Sequence, residues 1–169
     1  MAYSCLKILS PVVLGAAFWA AAPAHADPLN SSFSFLVVET NADGKEALVE
    51  RASVKPGEVI HYVLTHANTT ENDMQGLIVA APVPEGVTLT YDGQSASVPS
   101  LFEVQAELDP ELEGLEWSTL PAMRKVVSSD GTLREELLPD SEITAVRWSL
   151  MEALEAGETA QNTYRVRVN

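Results

Sequence analysis

The chain has 169 residues, with 24 acidic against 10 basic side chains and a formal charge of −14 at neutral pH. A chain this acidic is a poor fit to nucleic acid or an anionic membrane surface, and it favours solubility, cationic partners or divalent metal. Cys5 is the only cysteine, so no intrachain disulfide can form, and the length is that of one domain able to bury a core without such a staple.

The first residues read as an address. Lys7 is the only charge before Asp27, the run from Ile8 to Ala22 is apolar, and Ala24-His25-Ala26 is a small-x-small exit. Pro11 and Gly15 interrupt the run, which falls short of the ~20 residues a membrane span needs. This pattern predicts a secretory signal peptide over 1–26, cut between Ala26 and Asp27. The remainder, 27–169, is then one domain, exported to the periplasm or cell surface and left without a stable membrane anchor. Cleavage would also remove Cys5 and Lys7, making the charge one unit more negative.

Ser32 to Glu39 opens with strict alternation and reads as a strand with Phe33, Phe35 and Val37 on one face. Asn41 to Lys45 is a turn, and Ala47 to Ala52 a short extended piece. Lys55-Pro56-Gly57-Glu58 suits a type II turn, because Pro presets φ and Gly accepts positive φ. It launches Val59 to Ala67, the clearest strand, with Ile60, Tyr62, Leu64 and His66 on one face. Asn68 to Asp73 is a polar loop, in which Asn68 is expected to hold the backbone through its side chain. Leu77 to Ala81 is apolar throughout, as a central strand covered on both faces would be, and Pro82 to Gly86 stops it. Val87 to Tyr91 alternates and is closed by Asp92-Gly93.

Phe102 to Leu108 fits strand or helix, and Asp109 to Gly114 is an acidic loop. Met123 to Ser129 and Thr132 to Leu138 flank Asp130-Gly131, the signal of a two-residue hairpin turn. Ile143 to Leu150 is a strand with Val146, Trp148 and Leu150 on its apolar face. Leu154-Glu155-Ala156-Gly157-Glu158 then repeats the Gly-Glu turn and launches a last strand, with Tyr164, Val166 and Val168 facing away from Thr163, Arg165 and Arg167. The pattern predicts an all-β antiparallel sandwich of about seven to nine strands. Ile60, Tyr62, Leu64, Val79, Trp148, Tyr164 and Val166 are its expected shared core.

Several of these pieces recur together in one family. Pro56-Gly57-Glu58, Tyr62 and Asn68 are followed by Pro84-Glu85-Gly86, the small-residue patch Gly93 to Ser97, Arg147-Trp148, Gly157-Glu158 and Tyr164 to Val168. In order and spacing, over about residues 33–168, they resemble the bacterial conserved repeat domain of unknown function, the eleventh such family (DUF-eleven). Two positions depart from that pattern: Ala81 stands where the family often has Asp, and His66 where an aliphatic residue is usual. The resemblance implies a single-copy immunoglobulin-like sandwich on an exported or surface protein. It gives structural roles to Pro56, Gly57, Tyr62, Asn68, Pro84, Gly86, Arg147, Trp148, Gly157 and Tyr164. It implies no activity.

Chemistry is thinly signalled. His61 and His66 lie on one strand and point to opposite faces, so they cannot share a metal; His61 is expected at the surface and His66 at a strand end. No nucleophile motif is present, and Asn30-Ser31-Ser32 and Asn68-Thr69-Thr70 match the glycosylation triplet by chance. Glu103, Glu107, Asp109, Glu111, Glu113 and Glu116 form the densest acid cluster. Glu107, Asp109, Glu111 and Glu113 are the candidate calcium ligands within it, but the alternating Asp grammar of a calcium loop is missing and a solvated loop is the simpler reading. Trp117, beside these acids, would suit sugar stacking or partner binding if exposed. The expectation is an exported, non-enzymatic module that uses no cofactor. Its partner would be a protein or surface polymer at the bacterial cell envelope. The alternatives are a carbohydrate- or calcium-binding module using 103–117, and a hydrolase whose triad or carboxylate pair assembles only in space.

Overall fold

The two Gly-Glu turns launch neighbouring strands at the centre of the larger sheet. The computed structural model describes residues 28–169; the leader expected over 1–26, with its exit at Ala26 and Asp27, lies outside the described residues. Eleven strands follow one another: β1 (Leu29–Thr40), β2 (Glu46–Val49), β3 (Val59–Asn68), β4 (Ile78–Pro82), β5 (Val87–Ala96), β6 (Ser100–Ala106), β7 (Glu116–Ser118), β8 (Met123–Val127), β9 (Leu133–Leu137), β10 (Ala145–Leu150) and β11 (Thr159–Val168). A 3-10 turn at Asp140–Glu142 is the one helical element among the described residues. One sheet has the order β2-β1-β3-β11-β5, the second β4-β10-β6-β7, and β8-β9 stands apart as a hairpin. Every pairing is antiparallel. The fold is a β-sandwich of nine strands with a hairpin added.

The echo in sequence is a reciprocal clasp in structure. Gly57 and Gly157 hold φ of 85° and 75°, a region that costs a glycine nothing. In each turn the glutamate carboxylate accepts the N–H three residues earlier, Lys55 at 2.7 Å for Glu58 and Glu155 at 2.9 Å for Glu158. β3 and β11 then pair side by side, Tyr62 opposite Tyr164. Each strand's last residue returns to the other's turn: Asn68 N–H donates to Glu158 O, and Val168 N–H to Glu58 O, both at 2.9 Å. Arg51 also pairs with Glu58 at 2.5 Å, and that contact, ahead of the Lys55 N–H, holds the Glu58 carboxyl below its ordinary range.

Alternation decides the core. Val37, Ile60, Leu64, Val79, Leu89, Val104, Val146, Trp148, Tyr164 and Val166 are all buried. Tyr62 is half-buried and packs against them, so the seven residues expected to share a core do so. Phe102 packs against Trp148 in a tilted pair with ring centroids 5.2 Å apart, and Trp148 lies 6.1 Å from Tyr164 in the facing sheet. The Tyr164 hydroxyl is satisfied by the Pro82 carbonyl at 2.8 Å.

Three sequence expectations need correction, and one open choice is decided. Leu77 to Ala81 is not covered on both faces: β4 is an edge strand with Val79 and Ala81 buried while Ile78 is 57% exposed. Its outward positions are apolar too, which is why the run reads as central. Asp92-Gly93 does not close β5. It sits in a bulge, where the register against β11 shifts between Thr163 and Arg165. Gly93 holds φ of 90°, which favours glycine, and a Cβ there would also push the Arg165 side chain, 2.6 Å away, out of its place. The hairpin turn is longer than two residues, because Ser128 and Thr132 pair across Ser129, Asp130 and Gly131. For Phe102 to Leu108 the outcome is strand as far as Ala106, within β6, and Glu107 and Leu108 lie beyond its end.

Candidate functional site

The two sheets do not cover each other fully. Trp148 against Tyr164 sets β10 over β11, and the bond from Tyr164 to Pro82 brings the end of β4 over the same row. β5 passes into β6 through residues 97–99 alone, so β6 lies over β5, and the strand orders then put β4 over β3. No strand of the second sheet lies over β1. Its inward face carries Ser31, Phe33, Phe35 and Val37, and Phe33 and Phe35 remain 57% and 40% exposed. The expectation that Phe33, Phe35 and Val37 share a face holds, but only Val37 is sealed.

These rings belong to one continuous aromatic row. Phe33 stacks on Tyr62 at 5.1 Å, Phe35 meets Tyr62 edge-on at 6.4 Å, and Tyr62 stacks on Tyr164 at 4.9 Å. The chain leaving β2 turns over the lower end of this shelf. Ala52, Ser53 and Val54 enclose with Phe35, Ile60 and Tyr62 a hollow of about 200 Å³. Beside it a hollow of about 600 Å³ is lined by Phe33, Phe35, Glu50 and Arg51. Arg51 is already held by Glu39 at 2.9 Å and by Glu58.

The shelf is bounded by the free edge of β4. Leu150 N–H donates to Leu77 O, and Val83 N–H to Thr144 O. In an antiparallel ladder the bonded positions alternate, so Leu77, Val79, Ala81 and Val83 face β10. Ile78 and Ala80 therefore direct their N–H and C=O groups to the open edge. Pro82 ends that edge, with no N–H to offer and a carbonyl already taken by Tyr164.

Farther along the shelf Ser31 and His66 are hydrogen-bonded, Oγ to Nδ1 at 2.7 Å, and the buried His66 Nε2 has no partner among the described residues. Burial holds His66 below its ordinary pKa. His61, on the outer face, is half-buried rather than at the surface. Arg165 donates to its Nδ1 at 3.3 Å, and burial followed by the Arg165 charge lowers its pKa. The two histidines do point to opposite faces.

The acid cluster is dispersed. Glu103 pairs with Arg147 at 2.7 Å, Asp109 with Lys125 at 2.6 Å, and Glu116 accepts the Leu108 N–H at 2.7 Å. Glu107, Glu111 and Glu113 are exposed. Among the described residues no three acidic, histidine or cysteine side chains are grouped as metal ligands. Trp117 is half-buried beneath Arg147, whose guanidinium carbon lies 4.4 Å from the ring centroid. The resemblance positions Pro56, Gly57, Tyr62, Asn68, Arg147, Trp148, Gly157 and Tyr164 fall in the clasp and the packed rows, and Pro84 and Gly86 in the turn before β5. A scan of the chain against family models found no match, and searches of curated proteins and of solved structures found none either.

Proposed function

We propose that this protein is a non-catalytic interaction module that receives an extended segment of another polypeptide as an added strand beside β4. The observation that carries the reading is the coincidence of two unfilled surfaces: a free edge at Ile78 and Ala80, and directly beyond it the uncovered Phe33–Phe35 shelf. A strand placed one spacing from β4, about 4.8 Å, would lie about 10 Å above β1, the ordinary distance between packed sheets. Its backbone would meet the N–H and C=O of Ile78 and Ala80. Every second side chain would drop onto Phe33, Phe35 and Tyr62. Strand addition of this kind takes affinity from main-chain bonds and specificity from the alternate pockets. The acidic charge of the chain favours a partner segment whose outward residues are basic or neutral. The leader expected over 1–26 and the resemblance described above both favour a setting at the bacterial cell envelope.

The test uses an alternating lysine–valine heptapeptide and a sequence-scrambled control of the same composition. Amide hydrogen exchange should slow at Ile78 and Ala80 with the alternating peptide only. Ala80→Pro removes an edge N–H that the fold does not use, and should abolish the slowing while circular dichroism stays unchanged. Phe33→Ser should weaken binding by about tenfold, the scale of a lost buried aromatic contact. Binding that survives Ala80→Pro, or protection elsewhere, would overturn the reading. Concentration-dependent dimerisation lost in Ala80→Pro would replace the foreign segment with a second copy.

A further inference from the structure

A second cavity lies on the opposite side of the molecule, where the β8–β9 hairpin joins the sandwich. It is an open cleft, with Leu137 64% and Tyr91 50% exposed, and its volume of about 530 Å³ lies within the ~300–1,000 Å³ usual for small-molecule sites. Leu120, Pro121, Leu137 and Leu138 make apolar walls, and Tyr91 and Asp140 stand at its edge. Tyr91 comes from β5 just before the bulge, and Asp140 opens the 3-10 turn after β9. Their contact joins residues that are 49 apart in the chain.

The polar pair has a definite hydrogen-bond sense. The Tyr91 hydroxyl donates to one carboxylate oxygen of Asp140. Burial, helped by the neighbouring carboxylate, pushes the Tyr91 pKa up to about 12, so the phenol stays protonated at any physiological pH. No basic side chain lines the cavity. The nearby Arg124 is engaged by Glu136 at 2.8 Å and by Glu142. The cavity thus pairs an apolar trough with a single anionic acceptor, whose second oxygen has no partner among the described residues. An apolar site with one fixed charge selects a ligand with an apolar body and an opposite charge at one end.

We infer that this cleft is a binding site for a small aliphatic primary amine, its hydrocarbon chain lying along Leu120, Pro121, Leu137 and Leu138 and its ammonium group on the Asp140 carboxylate. The occupant is a cation by charge complementarity: an alcohol would leave the carboxylate without a counter-charge, and a carboxylic acid would meet it with like charge. The site is separate from the β4 shelf and stands or falls independently of strand addition.

The experiment is a two-dimensional amide NMR titration of the full chain with n-hexylammonium at constant ionic strength. Hexan-1-ol, hexanoate and ethylammonium serve as comparison ligands. Saturable shifts are expected at Tyr91 and at Leu137 to Asp140, with hexylammonium binding at least about tenfold tighter than hexanol, the scale of a hydrogen bond to a charged group. Asp140→Asn keeps the shape of the side chain and the backbone of the turn, and should cost about tenfold for hexylammonium while leaving hexanol unchanged. Tyr91→Phe keeps the wall and the carboxylate, and should stay within about threefold of the parent. Equal affinity for hexanol, or for hexylammonium in Asp140→Asn, would reduce the cleft to an apolar depression and overturn the assignment. Shifts matched by ethylammonium would assign the effect to scattered surface acids, and the absence of saturable shifts would also refute it.

Discussion

Asn68 tests the clasp most directly. It is 1% exposed at the end of β3. The two hydrogens of its Nδ2 are shared among Asn72 O at 2.8 Å, Leu154 O at 3.1 Å and Glu155 O at 3.0 Å. Its Oδ1 accepts from Thr70 N at 3.0 Å and Thr70 Oγ1 at 2.8 Å. One side chain thereby ties its own loop to the turn that launches β11. In Asn68→Ala these contacts go, but each carbonyl has another donor: the Thr70 hydroxyl, released from Oδ1, can turn to Asn72 O, while Met74 N and Glu158 N still serve Leu154 O and Glu155 O. No acceptor is stranded, and the one donor that loses its partner, the Thr70 N–H, belongs to a half-buried loop residue open to water, so the loss follows net hydrogen-bond values of roughly 0.5–1.5 kcal/mol each rather than full desolvation. About 2–4 kcal/mol is expected. Asn68→Asp should be worse at neutral pH, because a carboxylate oxygen would then face three carbonyls. Lowering the pH should recover part of that loss, since a protonated carboxyl can donate again. Urea denaturation followed by tryptophan fluorescence measures both variants. A loss below about 0.5 kcal/mol in Asn68→Ala, or an Asp variant as stable as the parent, would show that the clasp does not depend on this side chain.

Trp148→Ala, at a residue 2% exposed between Phe102 and Tyr164, should cost about 3–5 kcal/mol in the same assay, and a loss under about 1 kcal/mol would contradict its place in the core. His61 and His66 both have pKa values lowered on folding, so the folded state favours their neutral forms. Their contribution is complete above the unfolded histidine pKa of about 6.5 and is lost as pH falls from there towards the folded values. The urea midpoint should therefore drop between about pH 7.5 and 5.5, and the double substitution His61→Gln with His66→Gln should flatten that drop.

The legible parts of this molecule were those governed by period two and by turn chemistry. β3, β10 and β11 each bury the face that alternation assigns, because a strand between neighbours has little freedom to rotate. The Gly-Glu turns were visible because positive φ selects glycine whatever the surroundings. Sheet order left no such mark. Ile78 and Ala80 are as apolar as buried residues, and only the missing neighbour of β4 exposes them. Asp92-Gly93 carries the residues of a turn and serves as a bulge, since both uses need the same backbone freedom. The acid cluster looked like a potential site because its counter-charges, Arg147 and Lys125, are remote in sequence and reach Glu103 and Asp109 only through pairing and folding. Tyr91 and Asp140 were missed for the same reason.

A free strand edge beside an apolar shelf invites uncontrolled pairing, so the features that restrain it bear on what it is for. The open stretch of β4 is short and Pro82 terminates it, which limits the length of any added strand. Arg51, Glu50 and the chain after β2 wall in the lower part of the shelf. Above all, two copies of a chain with a formal charge of −14 repel one another at long range, and the repulsion weakens as salt screens it. The same charge attracts a basic segment. An edge blunted against copies of itself and left open to an oppositely charged strand favours a foreign partner over self-association. On this argument added salt should weaken capture of the lysine–valine peptide while making self-pairing easier, so the two occupants of the slot would respond to ionic strength in opposite directions.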